Sequence, residues 1–365
     1  MGVEGVACNQ SHQLLSSPSL KGIHRLAGHA PGGEGHLLHG GKTEMANRLI
    51  VEPVGGLTNR LMALTSGLRL ANVFNRDFAL CWSPAEECGA EFADLFTNDF
   101  ELVSPAAHDP DFVSYHIGHG ATGWNREPTI PPPQDDKDIW LKTHGVITYK
   151  GEVRDASFFP SGPVLFDLGR YVRVLRVRDD IRETAETIRF PPNKTIGLHI
   201  RRPYNQNVAI SSAAHANEQK IYNSISDEYY SQLIGRLLEL DRDISFFLST
   251  NSVQTEQALR SLCSAEIFTF SKTGADDTRL ASSARDALVD LLLLSDTFGI
   301  VRQVDSHFAL FAGLATLCTN LVLVRESNSL ALVSIRFMEN SFIEVDRTDG
   351  ALKKLILKNY NFRRH

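Results

Sequence analysis

The chain has 365 residues, enough for two domains of ordinary size, with 42% hydrophobic and 22% charged residues, the balance of a globular protein. A formal net charge of −6 argues against a general nucleic-acid binder, yet a few local arginines on such a chain can still grip a small anionic ligand. Five scattered cysteines without CxxC spacing fit neither a disulfide framework nor a structural zinc site; with no apolar run of membrane-spanning length and no signal-peptide pattern, the expectation is a cytoplasmic protein with reduced thiols.

Residues 1–45 are rich in Gly, Ser and His and show no sustained hydrophobic period. They read as a disordered leader, with Met45 as an alternative start. An N-terminal, acceptor-side α/β domain is expected over 46–192. Arg48 to Pro53 reads as a strand running into the glycine turn Gly55-Gly56. Asn59 to Phe74 carries Leu61, Leu64, Leu68 and Ala71 at helical spacing, and Phe78 to Trp82 is a second strand, so the chain opens with a β-α-β unit. Pro105 to Pro133, with its prolines, glycines and histidines, reads as a long loop suited to acceptor contacts.

Pro191-Pro192-Asn193-Lys194 marks the expected domain boundary. A second domain, over 193–325, alternates strands at Ile196 to Ile200, Ser245 to Ser249, Glu266 to Phe270, Thr297 to Val301 and Leu321 to Val324 with helices. The helices are expected at Asp227 to Leu240, with Asp227 as N-cap, and at Gln254 to Leu262, Ala284 to Ser295 and Phe308 to Ala315. Such alternation predicts a parallel, doubly wound sheet. Residues 326–365 are expected to pack back on the N-terminal domain.

Three segments carry chemistry. In Gly55-Gly56-Leu57-Thr58-Asn59-Arg60-Leu61, two glycines between strand and helix let backbone approach a ligand, and the helix N-terminus offers N–H groups to an anion or a sugar oxygen. The plainer reading is a tight turn with Arg60 in a salt bridge. The segment is not a GxGxxG fingerprint, which counts against a nicotinamide enzyme. In Ile196-Gly197-Leu198-His199-Ile200-Arg201-Arg202 an apolar strand ends in His-x-Arg-Arg. Ligands of open α/β sheets bind beyond the carboxyl ends of strands, alternation puts His199 and Arg201 on one side, and paired arginines suit a diphosphate. The plainer reading is an arginine pair bridging surface carboxylates. In the third, Asp290 lies on the apolar helix ending at Ser295, and Asp305-Ser306-His307-Phe308 stands where a strand gives way to a helix. That turn suits phosphate, or is simply an N-cap made by Asp305 or Ser306.

In order and spacing these segments resemble the fucosyltransferase superfamily, which includes nodulation-type bacterial and eukaryotic core α1,6-fucosyltransferases and protein O-fucosyltransferases. The resemblance rests on GGLTNR at Gly55 to Arg60, HIRR at His199 to Arg202, DLLLLS at Asp290 to Ser295 and DSHF at Asp305 to Phe308. It extends to Phe246-Phe247-Leu248-Ser249-Thr250-Asn251, similar to a strand ending in Thr-Asp, and to Trp82, Cys88, Phe92 and Leu95-Phe96. It implies two Rossmann-like domains of GT-B type facing a central cleft, a GDP-fucose donor, inversion at the anomeric carbon and no bound metal or other cofactor. Carried over by position, the donor-binding residues are Gly55, Gly56, Asn59, Arg60, His199, Thr250, Asn251, Asp290, Asp305, Ser306, His307 and Phe308. Arg201, helped by Arg202, is expected to stabilise the charge that builds on the departing GDP.

The chain departs from the family pattern at Pro203-Tyr204 after the arginine pair, at Asn251 in place of Asp, and at Ala209, near which some members carry an acidic base. The titratable groups in the loop after HIRR are His215 and Glu218, the candidate bases for an acceptor hydroxyl of a glycan or protein. The departures admit two alternatives: a relative that binds a GDP-sugar without transferring it, and a transferase using another GDP-sugar.

Overall fold

The computed structural model describes residues 47–105, 112–117, 129–131, 133, 137–149, 162–202, 225–273, 280–303, 306–316, 319–326, 329–335 and 346–347. The leader at 1–45, His215, Glu218, Asp305 and much of the Pro105–Pro133 stretch lie outside these residues.

The N-terminal part builds a five-stranded parallel sheet of order β3-β2-β1-β6-β4. Its strands are β1 (Arg48–Pro53), β2 (Asp77–Leu80), β3 (Glu101–Leu102), β4 (Val113–Ile117) and β6 (Ile139–Thr143). Two short strands, β5 (Thr129–Ile130) and β7 (Thr148–Tyr149), pair separately. The stretch expected to be loop from Pro105 to Pro133 therefore contains β4 and β5. Val113, Tyr115 and Ile117 have the period of two that a strand needs, and β4 gains its stability from a distant partner, β6.

Helix α1 (Leu57–Val73) follows β1 and is buried on most of its circumference, with Leu61, Leu64 and Leu68 among the covered residues. Gly67 makes that closeness possible: a Cβ there would lie 2.2 Å from Val51 Cγ2. The remaining helices are α2 (Phe92–Leu95), α3 (Gly162–Val172), α4 (Asp179–Glu186), α5 (Asp227–Leu240), α6 (Val253–Leu262), α7 (Ala281–Ser295) and α8 (His307–Thr316).

The second sheet has seven strands in the order β10-β9-β8-β11-β12-β13-β14. β8 (Thr195–Ile200), β9 (Ser245–Thr250), β10 (Ile267–Thr269), β11 (Gly299–Gln303) and β12 (Thr319–Glu326) are parallel. β13 (Ser329–Ile335) and β14 (Asp346–Arg347) extend it antiparallel. The described part of the C-terminal segment thus continues this sheet, where the sequence suggested a return to the N-terminal half. The apolar run Leu330–Val333 pairs antiparallel with β12, its neighbour in the chain.

Two local expectations shift. Ser226 caps α5 by accepting the Tyr229 N–H at 3.3 Å, leaving Asp227 for another partner. β11 starts at Gly299 because Thr297 closes α7 instead, its hydroxyl bonding the Leu294 carbonyl at 2.7 Å.

Residues 46–365 form one compact unit. A continuous apolar core joins Leu49, Val51 and Leu61 of the first half to Leu288, Leu291, Leu310 and Phe311 of the second. Arg285 of α7 also pairs with Asp180 of α4. Each sheet has a point where chain order reverses: between β1 and β6 in the first, between β8 and β11 in the second. Crevices open at the carboxyl ends of strands at such points. Among the described residues no helix is long and apolar enough to cross a membrane.

Candidate functional site

At the second reversal, β8 delivers His199 and β11 leads into α8. His199 is buried, stacks on Phe308 with ring centroids 5.0 Å apart, and places Nδ1 2.8 Å from Ser306 Oγ. Ser306 Oγ also accepts the Ala309 N–H at 3.2 Å, so Ser306 caps α8 and orients the imidazole together. Burial, assisted by the nearby cations Arg201, Lys272 and Arg302, pushes the His199 pKa down to about 3. The ring is therefore neutral at ordinary pH, a packing and hydrogen-bonding group.

Arg201 leaves the end of β8 half-buried, its N–H donating to Gln303 Oε1 at 3.1 Å. Arg302, fully buried on β11 in register with His199, donates to the carbonyls of Gln303 at 3.3 Å and Ser306 at 3.4 Å. Two guanidinium groups and the N-terminus of α8 thus give one crevice a positive field, which suits an anion.

The two arginines of HIRR part ways. Arg202 donates Nε to Thr255 Oγ1 at 3.0 Å and Nη1 to the Ile225 carbonyl at 2.7 Å, pairs with Asp227, and lies 5.9 Å over the Tyr230 ring. Its backbone forms a reciprocal pair with the Asn251 side chain, N–H to Oδ1 at 2.8 Å and Nδ2 to the carbonyl at 2.9 Å. Arg202 and Asn251 lock together the exits of β8 and β9. Thr250 is turned to local work, its hydroxyl accepting the Ser252 N–H at 3.2 Å.

Asp290, on α7, is buried beneath the end of β9. Its Oδ2 accepts from Ser249 Oγ at 2.9 Å and from Lys272 Nζ at 2.9 Å, while Oδ1 has no hydrogen-bond partner among the described residues. Burial raises its pKa; Lys272 and Ser249 pull against that rise. Lys272 also donates to the Thr250 carbonyl, and Thr273 N–H bonds Asp286 at 2.7 Å, so the segment after β10 is pinned to α7.

The opposite wall comes from the first reversal. Gly55 has φ of +86°, a left-handed conformation that suits glycine, at the end of β1. Arg60 is buried with Nε on the Gly55 carbonyl at 2.8 Å, Nη1 on the Ser83 carbonyl at 2.7 Å and its guanidinium 5.2 Å over Trp82. It braces the glycine loop from beneath. Asn59, in the first turn of α1, bonds across to the other half: its Oδ1 lies 3.2 Å from His307 Nδ1.

The structure accordingly gathers Gly55, Gly56 and Asn59 on one side and His199, Arg201, Ser306, His307 and Phe308 on the other. Arg60, Arg202, Thr250 and Asn251 support that arrangement through the contacts described. Sequence reasoning missed Arg302, Gln303 and Lys272. The signal for the first two was available, since Arg302-Gln303 is a polar pair ending an apolar strand just as His-x-Arg-Arg is. Placing the end of that strand at Val301 hid it.

No protein-family model matches the chain, and no curated protein matches it in sequence. Among solved structures, NodZ α-1,6-fucosyltransferase soaked with GDP-fucose is similar at a TM-score of 0.51 and 15% identity, covering 80% of this chain and 99% of that one. The selenomethionine form of fucosyltransferase NodZ from Bradyrhizobium is similar at a TM-score of 0.51 and 14% identity, with coverage of 80% and 99%. At this identity the likeness establishes the fold: the chain shares the α/β architecture of these fucosyltransferase structures, with its parallel sheets.

Proposed function

We propose that the protein is a glycosyltransferase that moves fucose from GDP-fucose to a hydroxyl of a glycan or protein acceptor. The observation that carries this reading is the juxtaposition of His199 and Arg201, at the end of β8, with Ser306 and Phe308, at the start of α8. It supports the donor-site reading of HIRR and DSHF, on a fold shared with an α-1,6-fucosyltransferase whose crystal was soaked with GDP-fucose.

In this reading the diphosphate lies in the positive field of Arg201, Arg302 and the α8 N-terminus. The acceptor oxygen attacks the anomeric carbon from the side opposite GDP, so the configuration inverts. As the bond to the β-phosphate breaks, negative charge grows on the leaving oxygen, and Arg201 stabilises it. That charge work is assigned to arginine, with no metal ion required. Arg202 keeps the end of β8 in place, and Asn59 with His307 holds the two walls together.

The test is acceptor-dependent release of GDP from GDP-fucose, screened over glycan and peptide acceptors, with GDP-mannose and UDP-glucose as competing donors. Release from GDP-fucose that rises with acceptor supports the reading. GDP binding without release in any screen would establish the binding-only alternative, and preference for another donor would reassign the sugar.

A further inference from the structure

Transfer to a hydroxyl leaves a proton to be accepted, and the residues gathered at the end of β8 are ill suited to take it. His199 is buried with Nδ1 on Ser306, Arg201 is a cation, and the Asp290 carboxylate is engaged by Ser249 and Lys272. The opposite wall offers a carboxylate. Glu87 is exposed on the turn that follows β2, and that turn is anchored on both sides. Ala85 and Cys88 exchange backbone hydrogen bonds at 2.9 and 3.0 Å. Before it, Arg60 grips the Ser83 carbonyl; after it, Trp82 Nε1 holds the Ala90 carbonyl at 2.9 Å.

The side chain leans over the glycine loop. A methyl group placed on Gly55 would lie 3.4 Å from Glu87 Oε2 and 3.2 Å from Asn59 Nδ2. Asn59 in turn bonds His307 at the start of α8. A carboxylate oxygen thus overhangs the point where the two strand-end crevices are tied together, open to solvent from which an acceptor arrives. The Arg60 guanidinium beneath interacts electrostatically with it.

We propose that Glu87 is the general base of the transfer, an inference that rests on the glycosyltransferase reading above. Its carboxylate takes the proton of the acceptor hydroxyl as that oxygen bonds to the anomeric carbon, while the bond from that carbon to the phosphate oxygen breaks and its electron pair leaves with GDP. One bond forms, one breaks, and the proton ends on Glu87, to be lost to water. This places the base beside the glycine loop that Asn59 ties to α8, in a different part of the chain from His215 and Glu218.

The experiment compares Glu87→Gln with Glu86→Gln, a neighbouring exposed carboxylate on the same turn, and with the parent enzyme. Glu87→Gln is expected to lower kcat about a hundredfold or more, the usual contribution of general base catalysis. GDP affinity by calorimetry should stay within twofold of the parent. Glu86→Gln should match the parent. The proposal is overturned if Glu87→Gln turns over at the parental rate, if its GDP affinity falls in step with kcat, or if Glu86→Gln loses as much. A parent that releases no GDP with any acceptor defeats the transfer reading itself; a parent that turns over beside an unimpaired Glu87→Gln defeats the Glu87 assignment alone.

Discussion

His307 Nδ1 and Asn59 Oδ1 meet at 3.2 Å across 248 positions of sequence, joining the first turn of α8 to the first turn of α1. Each residue stands where a sheet reverses its strand order, so the bond ties one strand-end crevice to the other. If it contributes as a typical hydrogen bond does, the pair should show a coupling of about 0.5–1.5 kcal/mol in a double-mutant cycle of Asn59→Ala and His307→Ala, read from urea unfolding. Strictly additive losses would show that the two side chains merely lie close.

Arg202→Ala should act on stability before chemistry. It removes bonds to Asp227, Thr255 and the Ile225 carbonyl from a side chain only 14% exposed. A loss of about 2–4 kcal/mol in unfolding free energy is expected, since hydrogen bonds to charged groups contribute about 1.5–3 kcal/mol each and are not additive. Arg202→Lys should recover little of it, because an ammonium cannot span the three partners. Unfolding unchanged from the parent would mean that the network carries little energy.

Acid should weaken the fold through His199. The unfolded chain binds a proton on this ring near pH 6.5, whereas the folded chain resists it down to about pH 3. The unfolded state therefore holds more protons in that window, and stability falls as pH drops from about 6.5 toward 3, by up to about 1.4 kcal/mol per pH unit. Asp290, whose carboxyl pKa burial raises, contributes in the opposite sense, so the comparison must be between variants. The unfolding free energy of His199→Asn, measured from pH 7 to pH 4, should decline less steeply than that of the parent. Parallel slopes would contradict the neutral, buried imidazole.

Gly67→Ala should destabilise the first half by about 1–3 kcal/mol, the usual cost of overpacking. Its methyl would fall 2.2 Å from Val51 Cγ2, and both α1 and β1 would have to shift. Because α1 carries Asn59 and follows the glycine loop, donor affinity should fall along with the melting temperature. A variant as stable as the parent would show that α1 can move away from the sheet.

Much of the fold was legible where local signals end an element. β1 and α5 have the bounds that their residues suggest, β1 stopped by Pro53 with the glycines beyond it, although the cap of α5 is Ser226 where Asp227 was expected. β6 was not legible: Ile139 to Thr143 is a short apolar run whose partner, β1, lies far back in the chain. α4 escaped because it buries only Ile181 and Ala185 and owes its place in part to the Arg285–Asp180 pair. In the site, the polar groups that end apolar strands were visible, but their division of labour was not. Strand alternation set Arg201 on the side of His199 and apart from Arg202, but the bracing work of Arg202 comes from Asn251 and Thr255, 49 and 53 positions away. Glu87 was hidden for the same reason, since its closeness to Gly55 follows from how β1 and β2 end side by side.

The central claim is that the crevice at the ends of β8 and β11 holds the diphosphate of the donor, with Arg201 as its charged contact. Calorimetric titration of GDP into the parent and into Arg201→Ala tests it directly, with NAD as a control nucleotide. The account predicts that GDP binds the parent, that NAD does not compete, and that Arg201→Ala weakens GDP binding about tenfold or more, the loss of a charge-assisted contact of about 1.5–3 kcal/mol. GDP affinity left unchanged by Arg201→Ala, or absent from the parent, would contradict it.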